Sequence, residues 1–242
     1  MNGWKKAIVG NLRKLGYDLT RYRPSTHADS RRARLMEVQQ IDLVLDVGAN
    51  EGQYAMELRE AGFRGRIVSF EPLSSAYAVL EKNAAGDPEW KVMNCALGEE
   101  SGVSKINVAG NSTSSSLLGM LPAHEDAAPY SKYVGEQEIV IKTLDEIFDE
   151  VVGNHARIWL KIDTQGYEAK VIAGALKSLR KISVVQMEAS LQPLYDGAPS
   201  TAELLTTMDA QGYSIVGMDP GFCDERHGHL LQVDITFLRR DA

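Results

Sequence analysis

A chain of 242 residues with 44% hydrophobic and 24% charged residues has room for one sizeable domain and the make-up of an ordinary globular protein. Its apolar runs fall well short of the roughly 18 residues that a membrane span needs. The basic start "MNGWKKAIVGNLRKLGY" is followed by no small-residue cleavage site, so neither a span nor a signal peptide is expected. The net charge of −7 hides an asymmetry, with +7 in residues 1–34 and −14 in the remainder, and an acidic body argues against nucleic-acid binding. Cys95 and Cys223 sit in no metal-ligand spacing and read as free thiols in a reducing cytoplasm.

Residues 1–40 read as a basic helical extension. Trp4, Ile8, Leu12 and Leu15 recur at helical spacing, which suits a helix packed on the main domain or on a second subunit. Docking to an anionic membrane surface is the sharper alternative, and a homodimer through this helix or the inserted loop stays open. From residue 41 to 242 strands and helices alternate. "IDLVLDVG" reads as a buried strand, "QYAMELREAG" as a helix, "RIVSFEP" as a strand, "SSAYAVLEKNAAG" as a helix and "WKVMNCAL" as a third strand. The rhythm breaks over about 98–142, where "SGVSKINVAG" and "EQEIVIKTL" predict an added strand pair around a long Ser-rich loop. It resumes with "RIWLKID", a helix over "GYEAKVIAGALKSLRK", the strand "ISVVQMEAS" and the helix "STAELLTTMDAQG". The final strands "YSIVGMD" and "LQVDITFLRR" are joined without a helix, which suits an antiparallel pair. The expectation is an α/β fold with a mostly parallel sheet of seven strands, the last one reversed.

In open α/β sheets ligands bind beyond the carboxyl ends of the strands. The first such turn reads D-x-G-x-N-x-G, from Asp46 through Gly48 and Asn50 to Gly52, and lacks the G-x-G-x-x-G spacing of dinucleotide sites. A pyrophosphate beside Asp46 and Glu51 would meet like charge, whereas S-adenosylmethionine has no phosphate and carries an ammonium and a sulfonium. Glu71, ending the second strand, is placed to accept hydrogen bonds from two ribose hydroxyls, and Asn94, Cys95 and Ala96 follow the third strand. The candidate cofactor contacts are Asp46, Gly48, Asn50, Gly52, Glu71, Asn94, Cys95 and Ala96. An NAD-dependent oxidoreductase is the alternative that the turn spacing disfavours.

The stretches "LDVGANEGQYA", "IVSFEP", "NCALG", "NSTSSSL", "KTLDEI", "LKIDTQGYEAKVIAGA", "QMEASLQPLYDG" and "VDITFLRR" together resemble the FkbM-type S-adenosylmethionine-dependent methyltransferases over residues 41–240. The resemblance implies the class I methyltransferase (Rossmann-like) fold. It also implies transfer of a methyl group to oxygen, on a hydroxyl of a sugar or of a polyketide or glycolipid product. A non-catalytic S-adenosylmethionine-binding module is the competing class. Methylation of nitrogen is disfavoured because no Asn/Asp-Pro-Pro-aromatic signature occurs.

A neutral hydroxyl is a poor nucleophile, so a base worth about 10²–10⁴-fold is expected. His124 in "LPAHED" is one candidate, with Glu125 or Asp126 to orient its ring. Asp163, ending the fourth strand, and Glu188, the one ionisable residue in an otherwise uncharged strand, are the others. Asp163 and Glu188 also offer two oxygen ligands for Mg²⁺. His227 and His229 read as turn residues, Asp145 as a helix start, and Asp234 as a strand residue with a basic or backbone partner. The acceptor, a small molecule or an oligosaccharide, is not chosen by the sequence.

Overall fold

The computed structural model describes residues 3–241, in two compact units divided between Val38 and Gln39. The first unit holds α1 (Gly3–Lys14) and α2 (Ala28–Val38). Trp4 and Ile8 on α1 and Leu15 just after it are exposed, and Met36 on α2 is buried.

The second unit begins with β1 (Leu43–Val47), α3 (Gln53–Glu60), β2 (Arg66–Phe70), α4 (Ser74–Ala84) and β3 (Trp90–Met93). The segment read as a third strand is divided, because Ala96–Leu97 leaves the main sheet as β4. It joins β5 (Gly102–Ala109) and β6 (Tyr133–Lys142), with the short helix α5 (Pro122–Ala127) in the loop between them. The added strand pair is therefore an antiparallel ladder with β4 on its edge. Next come α6 (Leu144–Val152), β7 (Ile158–Ile162), α7 (Glu168–Ala173), β8 (Val184–Ser190), α8 (Thr201–Ala210) and β9 (Tyr213–Pro220). A small hairpin, β10 (Cys223–Asp224) with β11 (His229–Leu230), precedes β12 (Gln232–Arg239).

The main sheet runs β3-β2-β1-β7-β8-β12-β9, and only β12 is antiparallel to its neighbours. Strand order reverses at β1, so β1 and β7 leave their carboxyl ends side by side at the centre, where a cleft opens. β1 and β7 are buried along their whole length, as expected of parallel strands covered on both faces. Helices hold the sheet by familiar local means. Thr143 caps α6 by accepting the Glu146 N–H, and that helix buries Leu144, Ile147, Phe148 and Val151 on one side. Ser200 and Glu203 form a reciprocal capping box on α8. Asp145, at the start of α6, accepts the N–H groups of Lys177 and Ser178 and so pins the approach to β8.

One helix is shorter than the periodicity predicts. The helix over 166–181 stops at Ala173, where the Gly174 carbonyl accepts the Asp145 N–H and the Asp145 carboxylate takes the N–H groups of Lys177 and Ser178. A Cβ at 174 would lie 1.9 Å from the Gly98 carbonyl oxygen. The chain continues through a turn and a single 3₁₀ turn over Ser178–Lys181.

Candidate active site

The turn after β1 is built by close approach. Gly48 has φ +76°, and a Cβ there would sit 1.8 Å from the carbonyl oxygen of Asp163, so only glycine lets the ends of β1 and β7 meet. Asn50 adopts φ +48° and donates its N–H to Glu71 Oε2 at 2.8 Å. Glu71 Oε1 accepts the Leu73 N–H at 2.8 Å, so both carboxylate oxygens are aimed by backbone. Burial pushes this carboxyl up to about 7, against the lowering effect of those two N–H groups. Asn94 holds the same corner from behind by donating to the carbonyls of Glu71 and Pro72.

A row of polar side chains crosses the buried middle of the sheet. In register from β2 to β12 it runs Ser69, Asp46, Lys161, Gln186 and Thr236. Lys161 Nζ lies 3.2 Å from Asp46 Oδ1, 3.5 Å from Asp163 Oδ2 and 3.1 Å from the Gly48 carbonyl oxygen. Burial works to lower this ammonium's pKa, and the two carboxylates more than reverse that, leaving it above its ordinary value. Asp46 is fully buried and also accepts the Ser69 hydroxyl at 3.1 Å. Tyr54 on α3 closes the row from above, with its ring 5.5 Å from Lys161 Nζ and its hydroxyl donated to Gln186. Two residues nearer the carboxyl ends come Glu71, Gly48, Asp163 and Glu188, with Asp234 directly opposite Glu188 on the reversed strand.

The turn after β7 carries the acids. Glu168 at the start of α7 is buried, and its Oε1 accepts the N–H groups of Thr164 and Gly166 and the Thr164 hydroxyl. These bonds order the turn ahead of α7, whose start carries no side-chain cap, and the side chain of Asp163 keeps 37% of its surface open. Gln165 spans the gap between the two candidate bases. Its Nε2 donates to Asp163 Oδ1 at 2.8 Å and to Glu188 Oε2 at 2.9 Å. Gln232 Nε2 reaches the same Glu188 oxygen at 2.5 Å. Burial, then the neighbouring charges of Asp163, Glu168 and Asp234, hold Glu188 well above the usual carboxylate range. The pair is thereby split by environment, Asp163 part-exposed to the cavity and Glu188 buried beside like charges.

The Ser-rich loop roofs the space between the two turns. Ser112 Oγ accepts from Asn50 Nδ2 at 3.0 Å, and Ser116 Oγ donates to the Gln165 carbonyl at 2.7 Å. Beneath it lies a cavity of about 60 Å³, small beside the roughly 300–1,000 Å³ of drug-sized ligand sites. Gly48, Asn50, Glu71 and Ala96 line it, as does Asp163. Asp46, Gly52, Asn94 and Cys95 do not. Asp46 faces Lys161 inside the sheet, Gly52 packs under Trp90 and Leu80, Asn94 braces Glu71, and Cys95 belongs to the core. The charge of Asp46 is compensated by Lys161, so its part in the argument against pyrophosphate is corrected. What the geometry offers instead is a lining with two carboxylates and, among the described residues, no Lys, Arg or His.

His124 is also corrected. On α5 its ring turns inward against Tyr195, 5.1 Å between centroids, and Phe222, 5.2 Å, and it does not line the cavity. Neither neighbouring acid orients it: Glu125 lies 3.8 Å from Lys132, and Nδ1 of His124 is buried without a hydrogen-bond partner. Burial depresses its pKa to about 4, which suits packing and not proton transfer near neutrality. The Mg²⁺ reading of Asp163 and Glu188 does not fit either. An amide N–H₂ donor occupies the position between the two carboxylates, Lys161 stands beside one of them, and no group of three metal-ligating side chains occurs among the described residues. His227 is tied to Asp224 at 2.8 Å in the β10–β11 turn.

Residues 46–215 match a family model described as the Methyltransferase FkbM domain. The chain belongs to the FkbM methyltransferase family. A curated relative of the FkbM chain, the 2-O-methyltransferase NoeI of Sinorhizobium fredii (strain NBRC 101917 / NGR234), is 25% identical over 162 residues. The match takes in 64% of this chain and 66% of that protein, just under two thirds of the relative's length. Among solved structures, magnesium protoporphyrin IX methyltransferase from Synechocystis PCC 6803 with bound SAM is similar at 9% identity and a TM-score of 0.48, covering 99% of this chain and 98% of that one. Precorrin-6y C5,15-methyltransferase from Geobacter metallireducens GS-15 is similar at 12% identity and a TM-score of 0.44, covering 91% and 93%.

Proposed function

We propose that this FkbM chain is an S-adenosylmethionine-dependent O-methyltransferase acting on a sugar hydroxyl, with Asp163 as the general base. The observation that carries the reading is the cavity lining, in which Glu71 and Asp163 face a shared space without a cationic side chain. Such a lining favours a cationic nucleoside and disfavours a pyrophosphate. When bound, S-adenosylmethionine supplies an activated methyl group on sulfur. Glu71, its oxygens already aimed by Asn50 and Leu73, accepts the ribose hydroxyls. Asp163 takes the proton of the acceptor hydroxyl as that oxygen forms its new bond to carbon and the bond from carbon to sulfur breaks. Glu188 does not line the cavity and bears on Asp163 through Gln165 Nε2, which donates to both carboxyl groups. A relative named as a 2-O-methyltransferase supports oxygen as the accepting atom.

The test is an assay of methyl-labelled S-adenosylmethionine against a panel of mono- and oligosaccharides. Formation of S-adenosylhomocysteine in step with an O-methylated sugar is expected. Transfer only to nitrogen, or only to non-sugar hydroxyls, overturns the acceptor assignment.

A further inference from the structure

Gln165 is held at every polar atom the site can see. Its backbone lies in the left-handed region at φ +54°, a conformation kept in a residue other than glycine only where the surroundings fix it. Its carbonyl accepts the Ser116 hydroxyl at 2.7 Å, and its Oε1 accepts the Tyr195 hydroxyl at 2.7 Å. That leaves Nε2 with its two protons, one directed to Asp163 and the other to Glu188. An amide can turn over by half a rotation at little cost in shape. Turned, Gln165 would set its oxygen against two carboxyl groups and its N–H₂ against a hydroxyl.

The two carboxyl groups select the orientation seen, and Tyr195 holds the oxygen end of the amide in place. Tyr195 is 1% exposed and does not line the cavity. Its ring is fixed from two sides: His124 packs on it edge-on, and its Cβ lies against Gly166, where an added Cβ would come within 2.9 Å. Its hydroxyl has the Gln165 oxygen as its near acceptor, with the Ser114 carbonyl at 3.4 Å. The stretches "KIDTQGYE" and "LYDG" thus meet in space for a stated reason, and the buried His124 gains one as a buttress.

We infer that Tyr195 is a positioning residue: through its hydroxyl it sets the amide of Gln165, and the amide in turn fixes the Asp163 and Glu188 carboxyl groups relative to one another for methyl transfer. The inference rests on the proposed role of Asp163, and the test separates the two. Tyr195→Phe keeps the ring and its packing and removes one hydrogen bond. A hydrogen bond of net worth about 0.5–1.5 kcal/mol corresponds to a fall in kcat of about 2- to 13-fold. The Kd for S-adenosylmethionine should stay within twofold, because Tyr195 does not reach the cavity.

Gln165→Glu is the second variant. It still accepts from Tyr195 and cannot donate to either acid, so its loss should exceed that of Tyr195→Phe, and the double variant should be no worse than Gln165→Glu alone. A readout independent of turnover is solvent exchange of the Gln165 side-chain N–H₂ protons by NMR, assigned by their loss in Gln165→Glu. Slow exchange in the wild type and at least tenfold faster exchange in Tyr195→Phe are expected. Unchanged exchange, or an unchanged kcat in a wild type that turns over, overturns the inference. A wild type that transfers no methyl group while showing the predicted exchange would sink the role of Asp163 and leave the latch standing.

Discussion

Removing the ammonium of Lys161 should expose how much of the fold depends on the charges that the site buries. In Lys161→Met the aliphatic stem is largely retained, so little cavity forms. Asp46 then keeps only the Ser69 hydroxyl at 3.1 Å, in a position with no solvent access. Breaking a buried ion pair from one side costs about 3–5 kcal/mol. Most of that falls on Asp46, since Asp163 is 37% exposed and regains water when its partner goes. For a domain of this size, about 2–4 °C of Tm accompany each kcal/mol, so Tm should fall by roughly 6–20 °C. Urea titrations of Lys161→Met, Asp46→Asn and the double variant measure the coupling. Because a neutral pair avoids the stranded charge, the double variant should recover at least half of the loss. A single variant within about 1 kcal/mol of wild type, or a double variant whose loss is the sum of the singles, would refute the buried-pair reasoning.

Two further outcomes follow from burial. His124 has a folded pKa of about 4 against an ordinary 6.5, so its contribution is fully present above pH 6.5 and is lost as pH falls toward 4. Chemical denaturation of His124→Leu should remove that part of the acid sensitivity, worth roughly 3 kcal/mol, while methyl transfer at neutral pH falls no more than about tenfold. Glu71 is shifted the other way, to about 7, so the folded state holds its proton more tightly and this residue's contribution to stability declines as pH rises from about 4.5 to 7. Ribose hydroxyls favour the ionised carboxylate, so calorimetry should show S-adenosylmethionine affinity rising through pH 7 in the wild type and losing that component in Glu71→Gln.

Much of the sheet was legible because parallel strands announce themselves as apolar runs ended by glycine or an acid, and because the last two strands lack a helix between them. The break at Gly174 was not, since Asp145 and Gly98 are remote in sequence and meet this segment only once the chain is folded. At the site, Gly48, Asn50, Glu71, Ala96 and Asp163 could be read from their positions at strand ends. Lys161 was passed over as a residue within a strand. Its signal was present in the endings "SFE", "DVG", "KID" and "QME", where a polar residue precedes the last position by two in strands that should be apolar on both sides. His124 misled because acidic neighbours in sequence lie on other sides of α5, while its ring points into the cluster around Tyr195. Gln165 and Tyr195 were visible only as a motif, because the 2.7 Å bond between them joins residues thirty positions apart.

The most direct measurement is the single-turnover rate of methyl transfer to a sugar acceptor by the wild type and by Asp163→Asn, with S-adenosylmethionine saturating both. If Asp163 takes the hydroxyl proton, the rate at saturating S-adenosylmethionine falls by about 10²–10⁴-fold. Rates within a few-fold of each other would contradict the account and move the base to another residue of the cavity.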